Sequence, residues 1–287
     1  MKRYNLFVFL MWGTFSNLFA QQTEYENWNG VYMEICPDTT NANRYTEDNE
    51  IYQIDNVYYF NYQYLTNDGE KLYYRNLHEP HIIIEDGKEV ERNFISQRWE
   101  FVPQENLPDD ATVVFQMKVL PGLPRIWVGG QSLIEFSYIT HTGEIVPRWT
   151  KTGLVENEKN IWLHPPRECL FSILEINPFP FIKKPYEKGN TWKWSLEFDS
   201  YWSDKRWKVW DGIVENQCIY EIVDTNSVLH TSLGELICYK IDSYAESELG
   251  KTYLTAYFNE IYGFVRLEYI NIDGSTLNIE LEKAEIK

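Results

Sequence analysis

Glu197 and Asp199 stand two residues apart in a strand-like stretch. A spacing of two on a strand turns both carboxylates to the same face. Such a pair is the residue set of glycoside hydrolysis, one group acting as acid and the other as base or nucleophile. Trp194 and Trp202 flank the pair in sequence, and flat aromatic faces suit the C–H faces of sugar rings. The plainer account is a solvated strand face, because an acidic chain produces such pairs often. Trp202 and Trp207 bracket the polar turn Ser203-Asp204-Lys205-Arg206 and are the expected exposed platform for a ligand. That ligand is a glycan stacked on the rings or an apolar molecule held between curved sheets. Trp192 and Trp194 share the opposite fate, since their spacing puts them together on a core face.

Other chemistries find less support. His78-Glu79-Pro80-His81, with Glu85 nearby, is the one close histidine pair. Pro80 removes the helix that a metalloprotease motif needs, and residues three apart on a strand point to opposite faces. No metal and no cofactor are therefore expected. Gly130-Gln131-Ser132 starts like a nucleophile elbow, but Ile134 replaces the closing glycine. Four cysteines, Cys36, Cys169, Cys218 and Cys238, include no C-x-x-C pair. Cys218 and Cys238 flank a turn-rich stretch and are the candidate disulfide, with small buried core residues as the alternative.

The elements that must position these groups are strands. Val57-Tyr58-Tyr59-Phe60-Asn61-Tyr62-Gln63-Tyr64-Leu65 is rich in aromatic and β-branched residues and alternates with period two. Asp68-Gly69 follows, then Lys71–Arg75. Asp86-Gly87, Thr142-Gly143 and Asp273-Gly274 join similar runs. Glycine allows the positive φ of a tight hairpin at little cost, so each predicts two antiparallel neighbours. One short helix is expected over Arg167–Glu175, after Pro165-Pro166 and before Asn177-Pro178-Phe179-Pro180. The predicted class is all-β: two packed antiparallel sheet systems, each a curved sheet, half-barrel or sandwich, with at most one or two short helices. The expected boundaries are an N-terminal β domain over 21–163, a Pro-rich crossing over 164–188 and a C-terminal β domain over 189–287.

The first twenty residues set the expected address. Met1-Lys2-Arg3, an apolar run from Leu6 to Trp12, and Ala20 before Gln21-Gln22 have the layout of a secretory signal peptide. Leu18, the third residue before the cut, is larger than the usual one there. The run is too short to span a bilayer, which takes about 20 residues. A periplasmic, cell-surface or extracellular protein with no integral membrane segment after cleavage is expected. The formal net charge of −17 repels phosphate backbones, which argues against nucleic acid as a partner.

The C-terminal half has a distinct texture: Gly189-Asn190-Thr191-Trp192-Lys193-Trp194, Gly234–Ile241, Leu249-Gly250-Lys251-Thr252, and Tyr262-Gly263-Phe264-Val265. Over roughly 189–285 it resembles exported β-rich proteins of unknown function from Gram-negative bacteria. The resemblance implies a curved antiparallel sheet and an exported location, and carries no catalytic residue. The functional expectation is a noncatalytic binding module for a hydrophobic or glycan ligand. The alternatives are a carbohydrate-active hydrolase and a structural or assembly protein of the cell envelope.

Overall fold

The structure, a computed structural model, describes residues 24–35, 47, 49–77, 81–85, 88–92, 98–121 and 131–287. The signal segment, Cys36, His78-Glu79-Pro80, the Asp86-Gly87 turn and Gly129-Gly130 lie outside the described residues.

Eighteen strands are described. The N-terminal series is β1 (Tyr25–Trp28), β2 (Val31–Glu34), β3 (Val57–Leu65), β4 (Lys71–Asn76), β5 (His81–Glu85), β6 (Lys88–Arg92), β7 (Trp99–Pro103), β8 (Ala111–Leu120), β9 (Ser132–Thr140), β10 (Ile145–Glu156) and β11 (Asn160–Leu163). After these come β12 (Phe181–Lys183), β13 (Thr191–Asp199), β14 (Ile213–Thr231), β15 (Gly234–Ser247), β16 (Gly250–Asn259), β17 (Gly263–Ile270) and β18 (Thr276–Glu285). The all-β class therefore holds, and the strand positions follow the local pattern. In β3, Tyr58, Phe60, Tyr62 and Tyr64 are buried while their neighbours are half-exposed, as period two requires. The expected hairpin glycines Gly69, Gly143 and Gly274 all have positive φ.

The main sheet runs β12-β11-β10-β9-β8-β4-β3-β18-β17-β16-β15-β14-β13, with β7 added on β4. The two halves share this one ladder. β18, the last strand, pairs antiparallel with β3, from Thr276 opposite Leu65 to Glu285 opposite Val57. The sheet curves until its edges approach each other. Phe181 on β12 meets Trp192 on β13 at 5.7 Å between ring centroids, and Trp162 on β11 meets Trp194 at 5.8 Å. Outward positions on β14 carry Glu215, Gln217 and Glu221, a face that lipid would disfavour.

The small β1–β2 hairpin straps this seam. On one side the Tyr32 amide donates to Asn160 Oδ1 at 2.7 Å and Lys183 Nζ donates to the Gly30 carbonyl at 3.0 Å. On the other side the Ser195 amide donates to the Asn29 carbonyl at 3.3 Å. Gly30 has φ +115°, and a Cβ there would lie 2.1 Å from the Lys193 carbonyl oxygen, so only glycine lets the strap approach β13.

The crossing fills the curved sheet. Its helical turn is a 3-10 helix, Cys169–Ile176, at the place where a short helix was expected. Leu170, Phe171, Ile173 and Leu174 are fully buried. Phe171 packs against Tyr62, Phe115, Tyr138 and Tyr74 of the N-terminal half, at 5.2, 5.1, 5.8 and 5.9 Å. The Ile176 carbonyl accepts from Asn216 Nδ2 and Thr252 Oγ1 of the C-terminal half, each at 3.1 Å. Seven of its eight residues are buried, so it is a plug rather than an amphipathic surface helix. Burial of each such side chain contributes about 1.5–3 kcal/mol, which makes the plug a principal tie between the halves.

Candidate functional site

At one flank of the plug lies a cavity of about 350 Å³. Its walls come from four places distant in sequence: Trp99 on β7, Thr150 on β10, Arg167 and Ser172 around the plug, and Trp202 and Trp207 in the loop after β13. The loop is built by local polar contacts. Asp199 Oδ1 accepts the Tyr201 amide at 2.8 Å and opens a 3-10 turn over Ser200–Trp202. Asp204 then grips Arg206 through its backbone amide at 2.8 Å and its Nε at 2.9 Å. Burial works against the Asp204 carboxylate, but these Arg206 bonds hold its pKa below the ordinary value.

Arg206 also donates from NH1 to the Trp99 carbonyl at 2.8 Å and lies 3.6 Å over the Trp99 ring. Trp99 stacks in turn on Trp207, with centroids 6.0 Å apart and planes 24° from parallel. On the opposite wall the Arg167 guanidinium lies 4.8 Å over the Trp202 ring. Cation–π contacts of this kind fix the arginines and the rings together.

Behind Arg167 is a buried polar pair. Glu175 Oε1 lies 3.5 Å from both Arg167 Nε and His164 Nε2. His164 Nδ1 is 2.7 Å from the Pro165 carbonyl, which can only accept, so Nδ1 carries the proton and Nε2 presents a lone pair. Burial and the Arg167 charge push the His164 pKa down to about 3. Burial pushes Glu175 up to about 7, against the pull of Arg167. The His164–Glu175 contact is thus of ion-pair length without being an ion pair at neutral pH. Behind the lining residue Thr150, burial raises the pKa of the Tyr138 hydroxyl, which interacts with the Thr150 side chain and the Glu168 backbone. The Cys169 thiol, at a left-handed φ of +54°, donates to Asn76 Oδ1 at 2.9 Å beside the cavity.

The candidate residues from the sequence divide. Trp202 and Trp207 stand on the walls of this one cavity. Trp207 is buried in the Trp99 stack rather than displayed on an open platform, because Trp99 and Arg206 cover it. Glu197 and Asp199 are exposed on β13 and do not line the cavity; Glu197 faces Glu215 across the ladder, and Asp199 serves as a cap. The expected Cys218–Cys238 disulfide is corrected. Both thiols are free and buried, and the register places Cys218 opposite Ala245 and Cys238 opposite Ser227. Seven residues of strand separate Cys238 from Ala245, about 20 Å, against the 4.4–6.8 Å between Cα atoms that a disulfide spans. Among the described residues no cluster of three His, Cys, Asp or Glu could hold a metal ion, and the His78–His81 pair lies outside what is described.

Sequence reasoning missed Trp99, Arg167, Arg206, Thr150 and Ser172. The Pro-Pro-Arg start of the predicted helix was the one local signal near Arg167. A second, larger opening of about 520 Å³ between Tyr25, Lys184, Tyr186 and Glu260 is acidic. Its Glu156 carboxylate is already committed, accepting the amides of Glu50, Ile51 and Tyr52 at 2.8–2.9 Å.

No protein-family model matches the chain, and no curated protein matches it. Among the described residues no helix is long and apolar enough to cross a membrane. Two solved structures are similar. One is a protein of Bacteroides fragilis inferred to be exported and described as YmcC-like in fold, with 11% identity over 83% of this chain and 99% of that one, at a TM-score of 0.43. The other is a protein of Parabacteroides distasonis inferred to be a lipoprotein, with 12% identity over 82% of this chain and 97% of that one, at a TM-score of 0.44. Both alignments extend well beyond the C-terminal half to which the sequence resemblance was confined.

Proposed function

We propose that this protein is an exported, noncatalytic binding module whose ligand is a small, hydroxyl-rich glycan held in the cavity beside the plug. One observation carries the reading: Trp202, Trp207 and Trp99 share a cavity lining with Arg167 and Ser172, so aromatic surface and hydrogen-bonding groups converge on one volume. Sugars present the same mixture of apolar faces and hydroxyls. A lipid-like ligand has less support, because Leu170, Phe171 and Leu174 fill the interior where an apolar tunnel would run. The hydrolase reading has less support as well, because Glu197 and Asp199 lie outside the cavity lining. An assembly role is favoured by one feature: Val228 and Ile237 face each other across β14 and β15 and are 51% and 61% exposed.

The test is a panel of neutral and acidic mono- and disaccharides titrated against the chain lacking residues 1–20, read by Trp fluorescence and melting temperature. Binding by at least one saccharide, weakened tenfold or more in Trp202→Ala, is the expected result. A panel without any shift would remove the glycan reading. Recovery of one stoichiometric envelope protein that is lost in Ile237→Asp would favour assembly instead.

A further inference from the structure

We propose that the cavity selects a carboxylate-bearing saccharide, a uronic-acid type of ligand, whose acid group is gripped by the Arg167 guanidinium. The proposal rests on the glycan reading above and names its ligand class.

The two arginines of the cavity differ in what they have left to give. Arg206 is spent: its Nε and NH2 bond Asp204, and NH1 bonds the Trp99 carbonyl. Arg167 makes no hydrogen bond among the described residues; its contacts are Nε at 3.5 Å from Glu175 and its planar face on Trp202. Its two terminal nitrogens therefore keep the fork that matches a carboxylate in two parallel bonds. The Trp202 ring and Glu175 hold the fork in place, so little side-chain entropy is lost when an anion docks.

Among the described residues, the remaining charges around the cavity are Lys151, Glu168, Asp204 and Arg206. Asp204 and Arg206 neutralise each other, and Lys151 Nζ lies 3.6 Å from Glu135. Glu168 is the charge of this lining that works against an anion. The hydroxyl groups of the sugar then meet Ser172, whose Oγ donates to the Cys169 carbonyl at 2.6 Å and can still accept.

Glu175 tunes the grip. Among the described residues, the charged or titratable groups that face it are His164 and Arg167. His164 stays neutral across the working range, so Glu175 is the counter-ion that competes with a ligand for Arg167. Protonation of Glu175 as pH falls through about 7 ends that competition. The ligand acid stays ionised there, so affinity rises as pH falls. Each pKa unit by which ligand and Glu175 shift one another gives about a tenfold change in affinity.

The experiment is calorimetric titration with digalacturonate, with neutral galactobiose and with inorganic phosphate, at pH 6 and pH 8. Digalacturonate should bind at least tenfold tighter than galactobiose, and several-fold tighter at pH 6 than at pH 8. Arg167→Lys, which keeps the charge without the fork, should lose most of that preference, as should Arg167→Gln. Glu175→Gln should bind at pH 8 as the unaltered chain does at pH 6. Melting curves separate loss of the fork from loss of fold. Equal binding of the two disaccharides overturns the acid selectivity and leaves the glycan reading standing. Binding of neither disaccharide overturns both. Phosphate bound as tightly as digalacturonate overturns saccharide selection by this site.

Discussion

The plug can be tested by removing one ring. Phe171 is fully buried, and four aromatic partners surround it with centroids 5.1–5.9 Å away. Truncating a buried phenylalanine to alanine costs about 3–5 kcal/mol, from lost transfer energy and the cavity left behind. Ring pairs add about 0.5–1.5 kcal/mol each beyond area, though neighbouring contacts do not add in full. The four pairs put Phe171→Ala near the top of the range, at about 4–5 kcal/mol. For a chain of this size that is a fall in melting temperature of roughly 10–15 °C. Phe171→Leu keeps most of the volume and should cost under about 2 kcal/mol. The assay is urea unfolding followed by Trp fluorescence, with the midpoint moving and the slope m unchanged. A loss below about 1.5 kcal/mol for Phe171→Ala, far from a core truncation, would refute the plug as a packed tie between the halves. So would equal losses for alanine and leucine.

Three further outcomes follow from particular contacts. Gly30→Ala forces a Cβ to within 2.1 Å of the Lys193 carbonyl at φ +115°, and should free the strap at a cost of about 2–3 kcal/mol; unchanged hydrogen exchange at the Ser195 amide would contradict it. Glu175 has an ordinary value of 4.5 and a folded value of about 7, so its stability contribution is complete below 4.5 and is lost as pH rises through 7. Glu175→Gln should therefore gain about 3 kcal/mol on the unaltered chain between pH 4.5 and pH 8; a difference independent of pH would sink the burial argument, and the opposite slope from His164 cancels in the comparison. Cys218 and Cys238 should alkylate only after unfolding and should give separate peptides in a non-reducing digest that cleaves after Glu221 and Glu235; a disulfide-linked pair of those peptides would overturn the register of β14 on β15.

Local pattern made the strands legible. β3, the Asp68-Gly69 and Asp273-Gly274 turns, and the burial of Trp192 and Trp194 follow from period two and from glycine at positive φ, and both are properties of a few consecutive residues. The tertiary structure decided everything that joins distant segments. β18 pairs with β3 across more than two hundred positions because both need a partner edge, and no spacing in the sequence names that partner. The expected boundary segment turned inward because its Leu, Phe and Ile residues needed burial on every side, which only a curved sheet supplies. The expected disulfide failed for the same reason: proximity along a hairpin is set by register, and register depends on bulges near Asp224 that composition does not reveal. The site follows this logic. Trp202 and Trp207 were visible as aromatics beside a polar turn. Their partners Trp99 and Arg167 come from separate stretches of the chain, and only packing, which answers to shape and burial rather than to sequence distance, brought them to one cavity.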